Sequence, residues 1–203
     1  MRAKALLICI IVSVFCCMGC ASTRIASNVR EDYFGKSTSP RNSSVVVGNL
    51  EVIGIRDASK LVALHLLNTD TDKKYLVYVK SSAGFLDKMA SSDRCNENFF
   101  VELPKGRYRI SRIEVGEILG PKYKIHEPMI YVDIPDNETV YYVGNLRVSK
   151  EKTDFWREFW LDRINIGILI EDSPETVISR FRDRYHYVDG DIQTSLMYRS
   201  GTR

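Results

Sequence analysis

Five cysteines and three histidines are the side chains of this 203-residue chain best suited to attack a substrate, ligate a metal or carry a modification. The cysteines are Cys9, Cys16, Cys17, Cys20 and Cys95. Beyond residue 20, Cys95 stands alone, with no Cys-x-x-Cys partner for redox or metal chemistry. A buried or loop cysteine is the better reading of it. His65, His126 and His186 are spread along the chain, and none has a second His or Cys at zinc-ligand spacing. Asp189-Gly190-Asp191 opens like a calcium loop but lacks the remaining oxygen ligands, so it reads as a turn. No Gly-x-Ser-x-Gly, Walker loop or dinucleotide fingerprint occurs. No catalytic set and no cofactor are expected from these residues.

The remaining polar and aromatic groups point to binding rather than bond-making. Lys105, Arg107, Arg109 and Arg112 could present a basic stripe to anionic lipid or glycan, but solvated strand residues are the better reading of them. Glu171 and Asp172 precede a helix start, where negative charge favours the dipole. Phe155-Trp156-Arg157-Glu158-Phe159-Trp160 holds both tryptophans of the chain. Trp and Arg are enriched at interface hot spots. The same spacing also suits one helical turn or a hairpin end packed on a core, which is the better reading; if exposed, Phe155, Trp156 and Trp160 are the candidate partner contacts. The net charge of +3, without a dense basic tract, gives no reason to invoke nucleic acid.

The N-terminus has its own order. Arg2 and Lys4 are followed by an apolar run over residues 5–15, then by small residues and cysteines. That is the charged, apolar and small-residue order of a secretory signal. A spanning helix needs about 20 apolar residues, and the whole stretch from Ala5 to Ala21 is near the short limit, with polar sequence following directly. Cys17-Met18-Gly19-Cys20 resembles a lipobox, the processing motif of bacterial lipoproteins. Gly19 and Cys20 match its last two positions, while Cys17 and Met18 depart from the preferred Leu and small residue. The resemblance implies cleavage before Cys20, a diacylglycerol on its thiol and an acyl chain on its amine. Several buried acyl chains hold a protein on a membrane far better than one. Ala21, rather than Asp, implies sorting to the outer membrane, facing the periplasm. Cys95 is then the one free thiol left, and loss of Arg2 and Lys4 lowers the net charge from +3 to +1.

Downstream elements follow from periodicity. Residues 21–44 are rich in Ser, Arg, Asn and Thr and read as a tether. Strand signals follow at residues 44–55, 61–68, 74–80, 99–103, 107–115, 123–134, 139–148 and 163–170. Residues 81–98 read as a long connection. Pro104-Lys105-Gly106 and Pro135-Asp136-Asn137-Glu138 are turns. The apolar phase jumps by three from Ile110 to Ile113, which predicts a bulge near Ser111. Gly144 inside a strand suggests close approach by an aromatic neighbour. Asp172 or Ser173 can cap a helix with Pro174 in its first turn. Val177, Ile178, Phe181 and Tyr185 fall on one face of it.

Seven or eight strands with frequent turns and one late helix predict a mainly β fold, an antiparallel β-sandwich closed by a C-terminal helix. The expected division is a signal at 1–19, a tether at 20–44, the domain at 45–185 and a tail at 186–203. Phe99-Phe100-Val101-Glu102-Leu103-Pro104-Lys105-Gly106-Arg107-Tyr108-Arg109-Ile110 resembles the hairpin of transthyretin-like and carboxypeptidase-regulatory-like β-sandwiches. Tyr141–Leu146 (Tyr-Tyr-Val-Gly-Asn-Leu) is similar to a strand of small bacterial lipoproteins with such domains. The resemblance implies a non-catalytic module, with no catalytic residues to carry over. The expected function is therefore a lipid-anchored, non-enzymatic envelope protein that binds an envelope protein or glycan. An envelope hydrolase with dispersed residues, and an assembly subunit using residues 155–160, are the alternatives.

Overall fold

The computed structural model describes residues 24–25, 42–81, 92–116, 122–151, 166–186 and 191–201. Two β-sheets pack face to face, with one helix on the outside of the second. The first sheet contains β1 (Arg24–Ile25), β4 (Lys74–Ser81), β3 (Leu61–Asn68), β6 (Gly106–Gly116), β7 (Lys122–Ile134) and β11 (Tyr198–Arg199), in that spatial order. The second runs β10 (Ile192–Thr194), β8 (Val140–Lys150), β2 (Ser44–Ile53) and β5 (Arg94–Leu103), with β9 (Ile166–Glu171) also paired to β8. Helix α1 (Pro174–Arg184) lies over this second sheet. The expected sandwich with a closing helix is what the chain forms.

Alternation builds the core between the sheets. Val46, Leu50 and Val52 of β2 meet Tyr108, Ile110, Ile113 and Val115 of β6, together with Ile130, Val132 and Ile134 of β7. Each such buried side chain contributes about 1.5–3 kcal/mol from removal of apolar surface from water. The predicted bulge is present: against β3, Arg112 pairs with His65 and Ile110 with Leu66, which leaves Ser111 as the extra residue of β6. Turns close one end of the sandwich tightly. Ser44 Oγ donates to the Asp136 carbonyl at 2.6 Å, Lys105 N–H to Asn137 Oδ1 at 2.9 Å, and Arg107 N–H to Asp70 Oδ2 at 2.8 Å.

Several expectations change. The sandwich is not wholly antiparallel: β2 runs parallel to β8, β10 to β8 and β1 to β4. The helix covers the first part of the β2–β8 pair, over Val45, Val47, Val140 and Tyr142. Residues 94–98, read as connection, are strand, because β5 pairs with β2 without interruption from Leu103 back to Arg94. Arg24 and Ile25 lie in the expected tether but pair with Tyr75 and Leu76. The expected tail supplies β10 and β11, and Met197 between them is buried. The aromatic that crosses a glycine does so at Gly48, where an added Cβ would sit 2.5 Å from Phe99 Cζ. Gly144 is instead a bulge position with φ +95°, facing Glu171 and Leu196. Ser173 is the N-cap with Pro174 after it, but its side chain makes no capping bond. The Ser173 backbone N–H donates to the Tyr142 hydroxyl at 3.0 Å, which pins the helix start to β8.

Candidate functional site

The outer face of the second sheet is divided between two chemistries. Its first half is apolar. Val45 and Val47 of β2, Phe100 of β5, and Val140 and Tyr142 of β8 are buried under Val177 and Phe181 of α1 and Tyr185 at its C-cap. Phe100 and Phe181 ring centroids stand 5.4 Å apart. One turn further along the same strands the side chains become polar. Asn49 and Glu51 continue β2, Asn96 and Asn98 lie opposite on β5, and Asn145 and Arg147 continue β8. The bulge at Gly144 makes this possible. It shifts the phase of β8 by one residue, so that Leu146 and Val148 point into the core while Asn145 and Arg147 face outward.

These residues floor a basin of about 300 Å³, walled on one side by the first turns of α1 through Thr176 and Arg180. Asn49 Nδ2 donates to Asn96 Oδ1 at 2.8 Å and to Asn98 Oδ1 at 2.9 Å. Those two bonds leave the Nδ2 groups of Asn96 and Asn98 and the Oδ1 of Asn49 for a ligand. Asn145 Oδ1 is buried and has no hydrogen-bond partner among the described residues. Arg147 bridges two carboxylates, with Nε at 2.5 Å from Glu51 Oε2 and a terminal nitrogen at 2.8 Å from Glu171 Oε1. The hydrogen bond that Arg147 donates to Glu51, then the charge of Glu51, holds the Arg147 guanidinium above its ordinary range. Arg147 and Arg180 balance Glu51 and Glu171, so the basin as a whole is neutral.

The residues singled out in the sequence are placed as follows. Cys20, Phe155, Trp156 and Trp160 lie outside the described residues. Cys95 is buried in the core, where burial and then Glu97 push its thiol up to about 11. His65 and His126 pair with opposite sides of Arg112, on β3 and β7. Arg112 reaches the His65 ring at 3.2 Å and Glu114 at 3.1 Å. Among the described residues no group of three or more His, Cys, Asp or Glu side chains is arranged to hold a metal. The basic stripe is interrupted by partners: Arg107 pairs with Asp133 at 3.0 Å and Arg112 with Glu114.

The asparagine floor was missed by motif reading, because no motif spans three strands. Its signal lay in the pattern. Consecutive apolar residues (Val45-Val46-Val47, Phe99-Phe100-Val101, Val140-Tyr141-Tyr142-Val143) give way on each strand to alternation with Asn, Glu or Arg. No protein-family model and no curated protein sequence matches the chain.

Proposed function

We propose that this chain is a lipid-anchored, non-enzymatic module of the bacterial envelope that binds an envelope component in the asparagine-floored basin. The lipid half of the reading is supported by Gly19-Cys20 at the end of the apolar run. The binding half is carried by one observation. The helix covers only half of the outer sheet face, and the uncovered half is concave, polar and held in place by its own hydrogen bonds. A concave site with a few converging polar groups is the usual form of a small-ligand site. The side chains there are amides and paired ions, which recognise better than they react. Cys95, the one thiol among the described residues, faces the core on the opposite side of β5 from Asn96 and Asn98.

The test is capture from the native envelope. Full-length protein in mild detergent, carrying a photo-cross-linker at exposed Thr176 on the basin wall, should cross-link one envelope component. Asn98→Ala should reduce that product while leaving the protein folded. Equal cross-linking by both proteins, or none by either, would contradict the reading.

A further inference from the structure

Resting on the basin reading above, we infer that its ligand is a short, uncharged saccharide. Four asparagines meet there, and each amide offers donors and an acceptor at one position. A hydroxyl also both donates and accepts, so a polyhydroxylated ring can satisfy this mixed array in many registers. Asn96 and Asn98 turn their Oδ1 atoms toward Asn49 and so present N–H donors outward. Asn145 supplies the buried, unused acceptor between them and Arg147.

Charge weighs against the ionic alternatives. An anion would have to take Arg147 from Glu51 and Glu171, both within 2.8 Å of it, and would otherwise meet only the exposed Arg180 on the wall. A cation would meet carboxylates that Arg147 bridges and that Arg147 and Arg180 together balance in charge. Breaking a partly buried ion pair to make another gains little.

A peptide fits less well for two reasons. Strand addition needs free backbone N–H and C=O groups, but the basin lies on a sheet face, and β2 is laddered to β5 and β8 on both sides. Protein partners also need apolar anchor pockets, whereas only Leu146 and Val177 of the twelve lining residues are apolar. The volume of about 300 Å³ is at the small end of ligand sites. That suits the end or a short stretch of a glycan.

The experiment is calorimetric titration of the full-length protein in detergent micelles. The probes are a panel of neutral mono- to tetrasaccharides, with a sulfated disaccharide and a tetrapeptide as controls. At least one neutral saccharide should bind and the controls should not. Loss of one neutral hydrogen bond weakens binding by about 2- to 10-fold, so Asn98→Ala and Asn96→Ala should each fall in that range. Asn96 is exposed, which keeps its variant free of folding effects. Lys73→Ala, at the far turn, should change nothing. Binding of the sulfated sugar or the peptide in place of neutral saccharides overturns the inference, as does failure of the whole neutral panel. If envelope capture depends on Asn98 but the captured component is a protein, the ligand class is wrong while the binding module stands.

Discussion

Phe181→Ala tests how the basin gets its wall. Phe181 is fully buried and packs on Phe100 at 5.4 Å and Tyr185 at 5.1 Å. Removing a buried phenylalanine ring costs about 3–5 kcal/mol, because the transfer free energy is lost and a cavity remains. The cluster beneath the helix is separate from the main core; among the described residues its buried sheet-side members are Val45, Val47, Phe100, Val140 and Tyr142, with Ile192 and Leu196 partly buried against it. An 11-residue helix is marginal by itself in water. The loss therefore falls first on docking of α1 and only second on the sandwich. At about 1.4 kcal/mol per decade, amide exchange in α1 should speed up by two to four decades. Exchange in β3 and β6 should change far less. Because Thr176, Val177 and Arg180 line the basin, saccharide binding should weaken in the same variant. Hydrogen exchange read by mass spectrometry, beside a urea titration, makes both measurements. Unchanged exchange in α1 would refute the claim that this ring holds the helix down.

Other expectations follow from single sites. Gly48→Ala puts a methyl 2.5 Å from Phe99 Cζ and 2.9 Å from Val143 Cγ2, so overpacking should cost about 1–3 kcal/mol in urea denaturation; an unchanged midpoint would mean the two strands can part freely. Burial raises the Cys95 thiol from 9.0 to about 11, so its contribution to stability is complete below pH 9 and is lost as pH rises through 11. Cys95→Ala should flatten that part of the alkaline decline, and native Cys95 should react slowly with a thiol reagent at pH 8. Four peptide steps from Cys20 to Arg24 span at most about 14 Å, which brings β1 and the neighbouring Asp72 turn near the membrane if Cys20 is acylated. Asn49 and Glu51 stand five and seven residues along β2 from Ser44, about 17–23 Å from that end. A fluorophore at Thr71 should be quenched by lipid-borne nitroxide, and one at Thr176 should not; the reverse would contradict end-on attachment.

Much of this fold is readable from its strands. Tyr75-x-Val77-x-Val79, Tyr108-x-Ile110 and Ile130-x-Val132-x-Ile134 alternate because one face of each is wet, and period two then sets orientation unambiguously. The Ile110-to-Ile113 jump located a bulge for the same reason. Direction of pairing was less accessible. Parallel pairing of β2 with β8 joins Val45 to Val140, a contact that no local pattern reveals. Residues 94–98 looked like connection because Arg94, Asn96 and Asn98 face the basin or solvent, and polar outward positions weaken a strand signal. The two short strands after residue 190 have no periodicity of their own. They form because β8 and β7 offer backbone partners: β10 pairs with β8 and β11 with β7, and the Met197 N–H between them donates to the Val143 carbonyl at 2.9 Å. The basin itself is a tertiary object: its four asparagines come from three strands, and only the pairing register brings them together.

The claim that this is a lipid-anchored envelope module meets its most direct test at Cys20. Mass spectrometry of the N-terminal peptide from the membrane fraction should find Cys20 at the start of the mature chain, carrying diacylglycerol and an amide-linked acyl chain. Cys20→Ala should block that processing or release the protein from the membrane. An intact Met1, or an unmodified Cys20 on a protein still held at the membrane, would contradict the account.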